Sequence, residues 1–128
     1  MTAELVEVFA NEPRSIGEAR DTASAFLSGQ VDDVLARLLV SELVTNAVTH
    51  GAGPIELRVA LESDHVRVVV TDRGGGRPTL HRPRPDDAVR GGWGLHLVDD
   101  SATAWGSDVG PDRTSLWFEL PATRPTRG

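Results

Sequence analysis

Glu42 and Asn46 stand one helical turn apart in the stretch 38–50, Leu-Leu-Val-Ser-Glu-Leu-Val-Thr-Asn-Ala-Val-Thr-His. Leu35, Leu38, Leu39, Leu43 and Ala47 recur there at helical spacing, so a helix is expected from about residue 31 to residue 50. At about 100° per residue, Glu42 and Asn46 share a face with Leu35, Leu38 and Leu39. That face asks for burial, and an acid and an amide on it need partners. Asn46 offers a neutral oxygen to a hard cation such as Mg²⁺, which takes few protein ligands beside phosphate oxygens and water. Glu42 is then positioned to act as a general base or to hold a water on the ion. The plain alternative is a capped or ion-paired Glu42 beside a satisfied core amide.

Two further stretches carry chemistry of the same kind. In Thr71-Asp-Arg-Gly-Gly-Gly-Arg-Pro78, Asp72 ends an apolar run. A carboxylate there can accept a hydrogen bond from an exocyclic amine such as that of adenine. Gly74 and Gly76 would let backbone approach a flat ligand and take positive φ. Alone, this stretch reads as an ordinary Asp-Gly turn. Gly91, Gly92 and Gly94 open what reads as a third helix. Unpaired N–H groups at such a start attract phosphate, and glycines remove the side chains that would block it. A glycine-rich hinge would look the same.

The elements that must position these residues follow from pattern. Residues 4–9 are β-branched and partly alternating, which predicts a first strand. Ser15 with Glu18 forms a capping box for a helix over 16–28, stopped by Gly29. Asp32 and Asp33 fall in the first turn of the organising helix, where its dipole favours them, and residues 51–54 end it. Strands at 55–61 and 66–70 make an antiparallel hairpin around 62–65. Residues 77–90, rich in Pro, Arg and Asp, read as a mobile loop. The third helix runs to about residue 101. Strands at 103–109 and 114–120 flank a Gly-Pro-Asp turn, and residues 122–128 form a polar tail that frays.

This order predicts an α+β fold: a two-layer α/β sandwich with a mixed, mainly antiparallel sheet and helices on one face. It is not the alternation of a doubly wound fold, and the glycines do not follow GxGxxG spacing. The whole chain of 128 residues suits one domain, with a core at about 8–121. A formal net charge of -6 argues against a general nucleic-acid binder but not against a local pocket for a small anion. The absence of cysteine excludes disulfides and thiolate metal sites. The four histidines are scattered, against a structural zinc site. Without a basic segment leading into an apolar run, and without a membrane-length stretch, a cytoplasmic protein with no membrane partner is expected.

Taken in register, ExxxN on a helix, DxGxGxP after a strand and GxG at a helix start resemble the ATP-binding set of the histidine-kinase-like (GHKL) ATPases. Glu42 and Asn46 match the N box, Asp72, Gly74 and Gly76 the first glycine box, and Gly92 and Gly94 the second. Glu12-Pro-Arg-Ser with Ala19-Arg20, Trp105-Gly106 and Thr114-Ser-Leu-Trp-Phe-Glu-Leu120 look like the compact branch of that family. That branch holds the anti-sigma-factor serine kinases and related bacterial regulators. The resemblance spans about residues 8–121.

The resemblance implies a residue-by-residue assignment. Asp72 would bind the adenine amino group, Asn46 would ligate Mg²⁺ bridging the phosphates, and Glu42 would be the catalytic base. The backbone of Gly92, Trp93, Gly94 and Leu95 would cradle phosphate, with Thr114 near adenine through a water. His50 would reach a phosphate, or else simply cap its helix. Residues 77–90 would be the ATP lid, its Arg82, Arg84 and Arg90 either complementing phosphate or merely solvated. Trp93 departs from the small or basic residue expected between those glycines, and the extra Gly75 falls at a variable position that disturbs nothing. The implied function is a Mg-ATP-dependent serine/threonine kinase of the anti-sigma type. It would bind a sigma factor as a homodimer and phosphorylate a small antagonist protein. The alternative is a nucleotide-gated protein-binding module without phosphotransfer. A two-component histidine kinase fits less well, because phosphoacceptor helices are missing.

Overall fold

Alternation builds the sheet. In β2 (Ile55–Leu61), β3 (His65–Asp72) and β5 (Thr114–Pro121) every second side chain is buried, so one face of each strand is committed to a core. The computed structural model, which describes residues 3–75 and 96–123, completes the sheet with β1 (Ala3–Phe9) and β4 (Ala104–Val109). The order is β1-β2-β3-β5-β4. Every pairing among the described residues is antiparallel. The expected two-layer α+β sandwich is therefore found, with a sheet more uniformly antiparallel than the pattern alone required.

Helix α2 (Asp33–His50) supplies the other half of the core. Its Leu39, Val40, Leu43, Val44 and Ala47 are buried, as are Ile55, Leu57, Val59, Val66, Val68, Val70, Leu116, Phe118 and Leu120 of the sheet. Each fully buried Leu, Val or Phe contributes roughly 1.5–3 kcal/mol, so this seam holds the helix in place. Helix α1 (Arg14–Phe26) adds Ala19 and Ala23 to the same core, and the short α3 (His96–Ser101) adds Val98. Leu38 is a correction. It is 42% exposed, and with Val34 at 77% it lies beside the buried stripe rather than in it. The sheet takes the face centred on Leu39 and Leu43, and Leu38 stands about 100° away from Leu39.

Helix boundaries differ from expectation for identifiable reasons. Pro13, already at a helical φ of -56°, stands at the N-cap of α1 with no side-chain cap. The helix thus begins ahead of Ser15, which is buried inside it and donates its hydroxyl to the Ala10 carbonyl. The Ser15–Glu18 capping box is not formed. Helix α1 ends at Phe26, before the turn in which Gly29 takes a φ of +78°. Asp32 is the N-cap of α2 rather than a first-turn residue, and its carboxylate accepts from the Leu35 N–H at 3.1 Å. Strand β3 reaches past the expected residue 70 to Asp72, which brings that acid into the sheet's hydrogen-bond register.

Candidate functional site

The site begins where β3 runs out. Asp72 is the last residue of β3 and sits inside the sheet, only 3% exposed. A carboxylate this deep must be supplied with donors. The Gly74 N–H gives one, at 2.7 Å from Oδ1. Directly across the β3–β5 ladder, Asp72 pairs in register with Thr114. Thr114 is fully buried, and its hydroxyl donates to the Gly74 carbonyl at 2.7 Å. Three residues singled out from sequence, Asp72, Gly74 and Thr114, are therefore tied into one hydrogen-bonded corner. The next N–H, that of Arg73, reaches the Ala52 carbonyl at 2.8 Å and binds this corner to the loop after α2.

The glycines of this corner serve close approach rather than unusual backbone. Among the described residues only Gly29 and Gly53 have positive φ, so the expectation of positive φ does not hold at Gly74. A Cβ on Gly74 would stand 2.9 Å from the Gly51 Cα and 3.0 Å from Asp72 Oδ1. Gly75 disturbs nothing as a glycine, but the position is constrained to be one. A Cβ there would come within 2.2 Å of the Pro111 carbonyl, in the turn that joins β4 to β5. Backbone at Gly51 and Gly74 thus closes on Asp72, and that at Pro111 on Gly75, with no room for side chains.

Asn46 and Glu42 lie on α2, one turn apart as the helical spacing requires. Asn46 is buried at 2% exposure, while Glu42 is half-buried. His50 is the final residue of α2 and is exposed. The last turn of this helix is fastened by the Ala47 carbonyl, which accepts from the Gly51 N–H at 2.9 Å and from Asn11 Nδ2 at 3.3 Å. Gly76, Gly92, Trp93, Gly94 and Leu95, together with the proposed lid at 77–90, lie outside the described residues.

This donor set fits a purine nucleotide with a hard cation. A close-packed glycine corner leaves a buried carboxylate with fixed orientation, which suits an amine on a flat ring. Among the described residues no group of three or more His, Cys, Asp or Glu could hold a metal ion. A divalent cation at Asn46 would be held by its amide oxygen together with ligand oxygens and water, the kind of site Mg²⁺ takes. A cleft of about 410 Å³ also borders Asp72, lined by Val8, Glu56, Thr71 and Arg113 among others. Val8, Glu56 and Thr71 project from the face of the sheet opposite the helices, so this cleft is distinct from the α2 side.

Sequence reasoning missed Gly51 and Pro111 as parts of this corner. Both act through contacts between distant segments, for which local pattern carries no signal.

Comparison with known proteins gives a consistent result. The family described as histidine kinase-like ATPase domain matches residues 9–119. The anti-sigma F factor of Bacillus licheniformis is 30% identical over 110 residues, covering 73% of this chain and 75% of that protein. The anti-sigma F factor of Pasteuria penetrans is 34% identical over 99 residues, covering 63% of this chain and 65% of that protein. Among solved structures, the RsbU and RsbW domains of a Mycobacterium tuberculosis protein superpose with a TM-score of 0.71 at 22% identity. That match covers 98% of this chain and 34% of the other, so this chain spans about a third of its length. The Acinetobacter baumannii histidine kinase AdeS follows with a TM-score of 0.57 at 15% identity, covering 94% of this chain and 68% of that one. At these identities the structural likeness speaks for the fold.

Proposed function

We propose a function from one premise: this chain belongs to the histidine kinase-like ATPase family. It is an ATP-binding regulator of the anti-sigma-factor type, and its finer activity is that of a serine/threonine protein kinase. Its phosphoryl acceptor is a serine on a small antagonist protein, and its regulatory partner is a sigma factor bound by a homodimer. The observation that carries the nucleotide reading is the buried Asp72 carboxylate, oriented by the N–H of Gly74, whose own carbonyl is latched by the Thr114 hydroxyl.

Bound Mg-ATP would supply the phosphoryl group and the cation that offsets its charge. The chain's own residues do the rest. Asp72 accepts from the adenine amine and so sets the direction in which the nucleotide lies. Asn46 presents its amide oxygen to the cation. Glu42, half-buried one turn earlier on α2, takes the proton from the attacking serine hydroxyl. Phosphoryl transfer needs mainly positioning and charge stabilisation, which a rigid helix bearing both Glu42 and Asn46 supports. His50 and the backbone of residues 92–95 add phosphate contacts in this reading.

Glu42 also separates this reading from a nucleotide-gated binding module, which requires Asp72 and Asn46 but no base. The test is transfer of label from γ-labelled ATP to a serine-bearing antagonist protein, for the natural chain and for Glu42→Ala. The expected outcome is transfer by the natural chain, with Mg-ATP affinity retained and transfer lost in the variant. Equal transfer by both proteins would remove Glu42 from the mechanism. Nucleotide binding without transfer in the natural chain would favour the binding module.

A further inference from the structure

Gly51 follows the last residue of α2, where a glycine is ordinarily explained by a left-handed backbone. That explanation fails here. Gly51 has φ -93° and ψ -167°, a conformation open to any residue. What excludes a side chain is the contact it would make. A Cβ on Gly51 would lie 2.4 Å from Asp72 Cγ and 2.6 Å from Asp72 Oδ1. It would also lie 2.6 Å from the Ala47 carbonyl oxygen. The same Oδ1 accepts the Gly74 N–H at 2.7 Å, so any displacement of the carboxylate strains that hydrogen bond.

From this contact we propose that Gly51 is a positioning residue for the Asp72 carboxylate, and thereby for recognition of the adenine amino group. The inference rests on the nucleotide reading above and deepens it. Helix α2, which carries Asn46 and Glu42, ends against the acid that reads the base. Through Gly51 the cation-binding and base-reading parts of the site share one rigid junction. The Arg73 N–H to Ala52 carbonyl bond, at 2.8 Å, holds the two strands of chain together immediately beside it. A methyl at Gly51 pushes the carboxylate out of line with an incoming amine; its contact with the Ala47 carbonyl falls on the end of α2, and affinity for a ligand without the amine reads that part separately.

The test compares ATP with purine riboside triphosphate, which lacks the 6-amino group, by calorimetric titration on the natural chain and on Gly51→Ala. A hydrogen bond to a charged acceptor is worth about 1.5–3 kcal/mol, so the natural chain should prefer ATP by about tenfold or more. In Gly51→Ala that preference should fall about tenfold, with affinity for the analogue changed by less than about twofold. A general loosening of the fold would weaken both ligands and leave their ratio intact, and that result would overturn the proposal. If the natural chain shows no preference, the adenine reading itself fails and the role of Gly51 falls with it. Should Gly51→Ala not fold, Gly51→Ala combined with Asp72→Ala is melted instead. Recovery of a cooperative transition supports the contact, because the smaller residue makes room for the methyl. If Asp72→Ala alone folds and the double variant does not, the Ala47 carbonyl rather than Asp72 excludes a side chain here, and the proposal fails.

Discussion

Replacing Thr114 by Val tests the latch that holds the corner of the site. The two side chains have nearly the same shape, and Val is at home in a strand, so the change removes a hydroxyl and little else. In the folded protein that hydroxyl is fully buried and donates to the Gly74 carbonyl at 2.7 Å. A net hydrogen bond is worth about 0.5–1.5 kcal/mol, and an acceptor stranded in the interior costs about 1–3 kcal/mol. Gly74 is half-buried, so water regains part of its carbonyl and the lower range applies. The expected loss is about 1 kcal/mol, or a fall of about 4 °C in the calorimetric midpoint for a chain of this size. Because Gly74 also orients Asp72 through its N–H, ATP affinity should fall by about fivefold, equivalent to that same 1 kcal/mol. Thr114→Ser is the control. It loses a buried methyl and similar stability, yet keeps the hydroxyl and should keep ATP affinity. An unchanged midpoint and affinity in Thr114→Val, or equal loss of affinity in Thr114→Ser, would refute the latch.

Two further predictions concern the frame. Asp32→Ala removes the side-chain cap of α2 and should cost about 0.5–2 kcal/mol in denaturant unfolding; Asp32→Asn, still a competent cap, should cost less. The Asp64–His65 pair at the β2–β3 turn should make stability depend on pH. Its hydrogen bond to Asp64 raises the His65 pKa above the usual 6.5, helped by the charges of Glu119 and Glu62, and the same bond lowers that of Asp64 below 3.8. A raised histidine pKa means the contribution is present below about pH 6.5 and lost as pH rises through the folded value. A lowered aspartate pKa means it is lost again in strong acid. Melting of the natural chain and His65→Gln should therefore differ at pH 5 and coincide at pH 9. A difference that grows with rising pH would contradict this sign.

Much of the frame is legible in the sequence because burial imposes period. Alternation predicts 55–61 as a strand, and β2 is Ile55–Leu61. The apolar repeat of α2 places its core residues well, but it assigns Leu38 to the buried face when the sheet covers only the stripe beside it. Local capping logic fails at Ser15, where Pro13 starts the helix first and the hydroxyl turns back to Ala10. The candidate site shows the same division. Asp72 stands out by type and place and Thr114 only through the family resemblance, and the strand register brings them face to face. The packing reasons for Gly51 and Gly75 come from segments distant in the chain, Asp72 for one and Pro111 for the other, and no neighbouring residue announces them.

The central claim is that Asp72 anchors an ATP site. Titration calorimetry of the purified chain with ATP, with and without Mg²⁺, alongside Asp72→Asn, tests it most directly. The account predicts binding that is strengthened by Mg²⁺ and largely lost in Asp72→Asn, whose amide presents a donor where the adenine amine needs an acceptor. Equal affinity in the two proteins, or no binding to the natural chain at millimolar ATP, would contradict it.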